Sequence, residues 1–267
     1  MNALANAAAD EALLLRDDAD GVARLTLNRP AARNALSLAL MEEFQAALDA
    51  VGEDDTVKLV VIAGAGPGFC AGHDLKELRA NPGRAFYKRT FTASSRLMLT
   101  IMRLPKPVIA RVHGIATAAG CQLVATCDLA VAAADARFAT PGVNIGLFCS
   151  TPMVALGRNV GRKQAMEMLL TGEMIDAEEA QRIGLVNRVA PADRLDQEVA
   201  ALAGTIAAKS PLTLRIGKEA FYRQLEMDVE SAYDYAAEVM TRNMLARDAE
   251  EGFDAFLEKR APVWRGE

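Results

Sequence analysis

Two stretches of small residues constrain this chain more than anything else in it. One is Phe69-Cys70-Ala71-Gly72-His73-Asp74-Leu75-Lys76 and the other is His113-Gly114-Ile115-Ala116-Thr117-Ala118-Ala119-Gly120-Cys121-Gln122. Each follows a strand-length apolar run, Leu59–Ala63 and Val108–Val112 respectively, and each opens into a helical pattern. Strand-turn-helix units repeated along one chain are the signature of α/β architecture. At such a turn the first backbone N–H groups of the helix have no partner inside it and lie at its positive end. Two such ends converging on one carbonyl oxygen would stabilise an oxyanion through the main chain.

The rest of the pattern agrees. Residues 21–28 alternate like a half-buried strand, and Ser37–Val51 has helical apolar spacing with Ser37 as N-cap. Asp74 is placed to cap a short helix after the first turn. Asn81-Pro82-Gly83 reads as the start of a mobile polar lid before a helix over Phe86–Leu104. The second turn feeds an apolar helix, Gly120–Cys127, followed by strands at Leu129–Ala133 and Arg137–Thr140 and a loop over Pro141–Pro152. Helices follow at Arg162–Thr171, Asp176–Ile183 and Pro191–Ser210. Three more, Leu212–Leu225, Val229–Arg247 and Glu250–Lys259, form an amphipathic tail opened by the Ser210-Pro211 cap.

Composition narrows the function classes. The 267 residues carry a net charge of −5 and no basic face interleaved with aromatics, which argues against nucleic acid. No apolar stretch reaches membrane-spanning length. Cys70, Cys121, Cys127 and Cys149 form no CxxC pair and read as reduced thiols of a cytoplasmic protein. Met1–Asp10 lacks both the pattern of a secretory signal and that of a transit peptide. Gly64-x-Gly66-x-Gly68 lacks phosphate-loop spacing, no G-x-S-x-G occurs, and His73 and His113 show no metal-ligand spacing, so no metal is expected.

Together, and in this order, the motifs resemble the crotonase (enoyl-CoA hydratase/isomerase) superfamily over nearly the whole chain. The resemblance runs through Leu27–Pro30, Arg33–Leu36, Phe69–Lys76, Lys106–Ile109, Ala118–Asp128, Leu170–Gly172, Ala180–Val186 and Phe256–Arg260. It implies a spiral of ββα units over residues 1–205 and a helical trimerisation region over 206–267, assembled as a homotrimer or hexamer. It implies an acyl-CoA thioester as ligand and no separate cofactor, CoA being part of the substrate. The backbone N–H groups of His73 and Ala119 match the family's oxyanion hole. Ala71, His73, Asp74 and Leu75 match its adenine-binding turn, and Phe256 and Lys259 match the C-terminal pair that reaches the nucleotide.

The departures matter as much. Family hydratases carry two glutamates, at the positions of Gln122 and Gly142 here. General acid–base help is worth about 10²–10⁴-fold, so their loss predicts weak hydration at best. Restoring both with Gln122→Glu and Gly142→Glu should raise hydration if the scaffold is otherwise competent, the hazard being a special backbone angle at Gly142. Asp128 reads as a structural partner at a helix end, and Cys149 as an inert core thiol. Three functions remain open. They are an atypical enoyl-CoA hydratase-like enzyme, a decarboxylase of malonyl-type CoA, and a non-catalytic acyl-CoA-binding protein.

Overall fold

A computed structural model describes residues 12–267, so the reading of Met1–Asp10 lies outside the described residues. In chain order the strands are β1 (Leu14–Ala19), β2 (Val22–Leu27), β3 (Leu59–Gly64), β4 (Val108–Val112), β5 (Ile115–Thr117), β6 (Leu129–Ala133), β7 (Arg137–Ala139), β8 (Ile175–Asp176) and β9 (Arg188–Ala190). The helices are α1 (Leu38–Glu53), α2 (Leu75–Ala80), α3 (Arg84–Arg103), α4 (Ala119–Thr126), α5 (Pro152–Asn159), α6 (Arg162–Thr171), α7 (Ala177–Arg182), α8 (Leu195–Ala207), α9 (Pro211–Gln224), α10 (Val229–Met244) and α11 (Arg247–Glu258).

Six strands form one sheet in the order β1-β2-β3-β4-β6-β9, parallel except for the β1–β2 hairpin. A second sheet has the order β5-β7-β8. The chain therefore steps from the first sheet to the second and on to a helix, as in β4-β5-α4, which is the expected ββα spiral. β3 is buried along its whole length because both its faces are covered. Val60 and Ile62 join the main core with Leu40, Phe44 and Phe69, while Leu59 and Val61 meet Leu195, Val199 and Leu202 of α8. Alternate residues of one strand thus supply two apolar layers.

Ser37 caps α1 by accepting from the Leu40 N–H, and Ser210 caps α9 by accepting from the Thr213 N–H. The lid expected after Asn81 is reduced to a short link, because α3 already starts at Arg84. The stretch expected to be a loop, Pro141–Pro152, contains a 3₁₀ turn, Pro141–Ile145, and ends where α5 begins.

The three last helices bury little. Among their residues only Val239, Asp248 and Ala255 are buried, and Phe221, Leu225, Tyr233, Leu245, Phe256 and Leu257 are all exposed. One polar knot ties them to the spiral. Asp128 accepts from the Val108 N–H at 2.7 Å, from Lys218 Nζ at 2.6 Å and from the Tyr222 hydroxyl at 2.8 Å. Lys218 also donates to the carbonyls of Ile101 and Lys106. Asp128 is the structural partner that its helix-end position predicts.

Candidate active site

The two turns meet. The Phe69 N–H donates to the His113 carbonyl, the Cys70 N–H to Ile115, and the Thr117 N–H back to Cys70. The Thr117 hydroxyl then donates to the Ala71 carbonyl at 3.1 Å. Small residues are required where the segments touch. A Cβ on Gly72, whose φ is +98°, would lie 2.9 Å from Ala118 Cβ and 3.3 Å from the Ala119 nitrogen. A Cβ on Gly120 would fall 2.1 Å from the Cys70 carbonyl oxygen.

Each of the two packed turns carries a backbone donor of interest, that of His73 in the first and that of Ala119 in the second. Leu36 pairs with His73 in a parallel bridge through the Gly72 carbonyl and the Asp74 N–H, so the His73 N–H itself points away from Leu36. Ala119 is the first residue of α4 and its N–H has no partner inside the helix. Neither N–H has an acceptor among the described residues. The residue before it, Ala118, holds φ 50° and ψ −116°, a conformation L-residues rarely adopt and that costs about 1–3 kcal/mol. That strain turns the chain sharply at the start of α4 and sets the direction of the Ala119 N–H.

The polar side chains around the donors are neutral. Both ring nitrogens of His73 are shut off from solvent and have no hydrogen-bond partner among the described residues, while its ring meets Phe91 of α3 edge-on at 5.3 Å. Burial pushes its pKa down to about 4, opposed by the nearby Leu36 backbone. Gln122 stands one helical turn beyond Ala119, 4% exposed, with Oε1 unpaired. The Ala118 N–H donates to the Ala139 carbonyl, which brings Thr140 alongside; its hydroxyl too is fully buried and unpaired.

Gly142 is closed over by its own loop. The Leu147 N–H donates to the Gly142 carbonyl at 2.9 Å, and a Cβ on Gly142 would lie 2.4 Å from the Leu147 oxygen and 2.9 Å from Cys149 Sγ. Its φ is not positive, so the obstacle to a side chain is space and not the backbone angle expected from the sequence. Burial raises the Cys149 thiol, and pushes Cys70 and Cys121 up to about 12. These thiols are protonated at neutral pH, and all four cysteines are buried and free.

The other residues singled out from sequence divide into two groups. Asp74 caps α2, accepting from the N–H groups of Lys76 and Glu77, and pairs with Arg29 at 2.8 Å. Burial alone would raise its carboxyl, but these hydrogen bonds outweigh it and hold it below the usual range. Ala71 donates its N–H to the Arg33 carbonyl, and Leu75 is exposed beside it. Phe256 and Lys259 sit at the exposed end of α11, and among the described residues no hydrogen bond or ring contact joins them to the turns. A groove of about 740 Å³ between α1 and α3 is lined by no residue of either turn. Among the described residues no group of three His, Cys, Asp or Glu side chains is placed to hold a metal. Sequence reasoning gave Thr117 and Thr140 no role although both fall within quoted motifs, and it passed over Phe91, whose contact with His73 comes only through the packing of α3.

A spiral of ββα units with two converging turns defines a class, and comparison with known proteins agrees with it. The enoyl-CoA hydratase/isomerase family model matches residues 17–267, and the chain belongs to that family. It is 47% identical over 245 residues to enoyl-CoA hydratase domain-containing protein 3, mitochondrial, of Rattus norvegicus, covering 92% of this chain and 82% of the relative. The crystal structure of the human protein of that name superposes with a TM-score of 0.92 at 46% identity, covering 95% of this chain and all of the other. That of an enoyl-CoA hydratase of Mycobacterium smegmatis superposes with a TM-score of 0.93 at 57% identity, covering 95% and 99%. The comparisons also correct the cytoplasmic expectation. The rat, mouse and human relatives are all named mitochondrial. Free thiols report a reducing environment, and the cytosol is not the only one.

Proposed function

We propose that this chain binds an acyl-CoA thioester and holds its carbonyl oxygen between the N–H groups of His73 and Ala119. The carrying observation is that the turns bearing two main-chain donors without acceptors, His73 and Ala119, pack against each other at Gly72 and Ala118, the second donor at a helix N-terminus. Such donors stabilise the enolate form of a thioester, because the negative charge grows on the oxygen they face. The nucleotide end of CoA is assigned to the turn Ala71–Leu75, and Phe256 and Lys259 to the edge of a neighbouring subunit's site. No separate cofactor is called for. Residues 1–205 then carry the site, and 206–267 form a trimerisation region whose exposed apolar helices cover one another in a homotrimer or hexamer.

Within this reading the chemistry is that of an atypical enoyl-CoA hydratase-like lyase. Neither Gln122 nor Gly142 supplies a proton acceptor for water. A second reading, binding without turnover, is favoured by the loop packed onto Gly142, which leaves no room there for a carboxylate. Titration calorimetry with acetyl-CoA, NAD and ATP tests the common core. Heat with acetyl-CoA alone is expected. Absence of binding or thermal shift at millimolar acetyl-CoA would overturn the assignment, and turnover of crotonyl-CoA then separates enzyme from binder.

A further inference from the structure

The glycine-rich stretch Gly64–Gly68 is no phosphate loop, but it leads from β3 into the first turn, and two side chains grip it. Asn34 Nδ2 donates to the Ala65 carbonyl at 2.9 Å and to the Gly68 carbonyl at 2.8 Å. From the head of the second turn, His113 Nε2 lies 2.8 Å from the Gly66 carbonyl oxygen. The His113 carbonyl accepts from the Phe69 N–H at 2.9 Å, so one residue of the second turn holds both ends of the approach to the first. The fit is close there, since a Cβ on Gly114 would lie 2.3 Å from the Pro67 oxygen. The His113 ring is itself held. Arg111 Nη1 lies 2.9 Å from Nδ1, and the rest of the guanidinium grips Asp196 of α8, with Nε 3.0 Å from Oδ1 and Nη2 2.7 Å from Oδ2. Arginine only donates and a carbonyl only accepts, so Nδ1 is bare and the ring proton sits on Nε2. Asp196 also pairs with Arg24 of β2 at 3.1 Å. Arg111 holds its carboxyl down at about 2, so it is ionised at neutral pH.

We infer that His113 is a positioning residue for the thioester carbonyl: its ring, oriented by the Arg111–Asp196 pair, fixes the turn that carries the His73 N–H against the turn that carries the Ala119 N–H. The inference rests on the acyl-CoA reading above and adds a residue to that same site. The chain Asp196–Arg111–His113–Gly66 runs from α8 past the end of β4 to the approach of the first turn, and none of its printed bonds reaches His73 or Ala119. It acts through placement alone. Donors stabilise an oxyanion only while they are fixed where the charge grows, so a residue that sets the spacing of the two turns bears on the carbonyl and not on the rest of the ligand. Gly66 is exposed, so water replaces the ring at its carbonyl when His113 is removed. The loop then loses its tether to the second turn without burying an unpaired group.

Calorimetry with acetyl-CoA and with free CoA, which has no carbonyl at the thiol, tests this on the wild type, His113→Leu, His113→Gln and Asp196→Ala. In His113→Leu the ratio of acetyl-CoA to CoA affinity should fall by about three- to ten-fold, the worth of one hydrogen bond, with CoA affinity kept. His113→Gln, whose amide offers an acceptor and a donor in the same order, should regain part of the ratio. Asp196→Ala, at the exposed end of the chain, should lower it in the same sense and decides the matter if His113→Leu does not fold. The infrared carbonyl stretch of bound, isotope-labelled acetyl-CoA should lie below that of the free ligand in the wild type and move back toward it in His113→Leu. Equal losses for acetyl-CoA and CoA mark a merely structural role and overturn the inference, as does an unchanged ratio and stretch in the folded variants. Failure of the wild type to bind acetyl-CoA overturns the acyl-CoA reading itself, and this inference with it.

Discussion

The Ala119 nitrogen lies 3.3 Å from the point where a side chain on Gly72 would begin. Any residue but glycine at 72 would push the two turns apart, and with them the donors of His73 and Ala119. The oxyanion-hole proposal therefore depends on a close backbone approach more than on any side chain.

His73→Ala and Ala119→Pro should separate on that account. His73→Ala keeps the main-chain donor, so acyl-CoA affinity should change less than about three-fold, within the scatter of ordinary side-chain effects. Ala119→Pro deletes a donor at the first helical position, where proline is otherwise tolerated. It also conflicts with the conformation of Ala118 before it. Losing one oxyanion donor is worth about 10²–10³ in turnover. Equal affinity losses in the two variants, with unfolding curves showing both intact, would count against the assignment.

Acid should weaken the fold through His73 before it does so through the carboxylates. The folded-state pKa of about 4 lies below the ordinary 6.5, because burial disfavours the charged ring. Stability from keeping this ring neutral is thus fully present above pH 6.5 and is lost as pH falls from there through 4. The amount is on the order of 3 kcal/mol. Asp196, held at about 2 by Arg111, and Asp74 lose their contributions only at lower pH. Urea unfolding between pH 7 and pH 4.5 should show a shallower slope for His73→Phe than for the wild type. Parallel slopes would refute this.

A side chain at position 142 should cost stability instead of adding activity. Even Gly142→Ala places a carbon 2.4 Å from the Leu147 oxygen, an overpacking of about 1–3 kcal/mol unless the loop shifts. The double variant Gln122→Glu, Gly142→Glu, attractive from the sequence, should therefore fail to hydrate crotonyl-CoA. Gln122→Glu alone should fold. The measurement is the loss of enoyl thioester absorbance: a gain on the order of 10²-fold in the double variant would show that the loop opens freely.

Light scattering should give a multiple of three times the 28.6 kDa chain mass. Tyr233, Leu245, Phe256 and Leu257 are 75%, 83%, 81% and 74% exposed, a degree of apolar exposure that a monomer of this size rarely carries. Leu245→Asp with Leu257→Asp should lower the mass toward the single chain. A wild type that runs as a monomer would sink the trimerisation assignment.

The sequence carried the elements whose signal is local. α1 has its serine cap and apolar stripe, β3 its unbroken apolar run, and both turns their small residues. It did not carry β1, because Leu14–Ala19 is half charged and is a strand only through pairing with β2. β5 and β8 are two or three residues long and exist only because β7 lies between them. The contact of Phe91 with His73 likewise depends on tertiary packing and leaves no local pattern. Gly142 is an ordinary residue in its backbone angle, and what it needs is space beside the Leu147 carbonyl five residues along the chain, which no local pattern encodes.

The knot at Asp128 has a consequence for how the molecule is made. Lys218 reads three oxygens at once, those of Ile101, Lys106 and Asp128, which belong to the end of α3, the approach to β4 and the exit from α4. These come together only when that turn of the spiral has closed. α9 thus rests on a completed turn of the spiral, and the exposed apolar helices behind it are positioned through that closure.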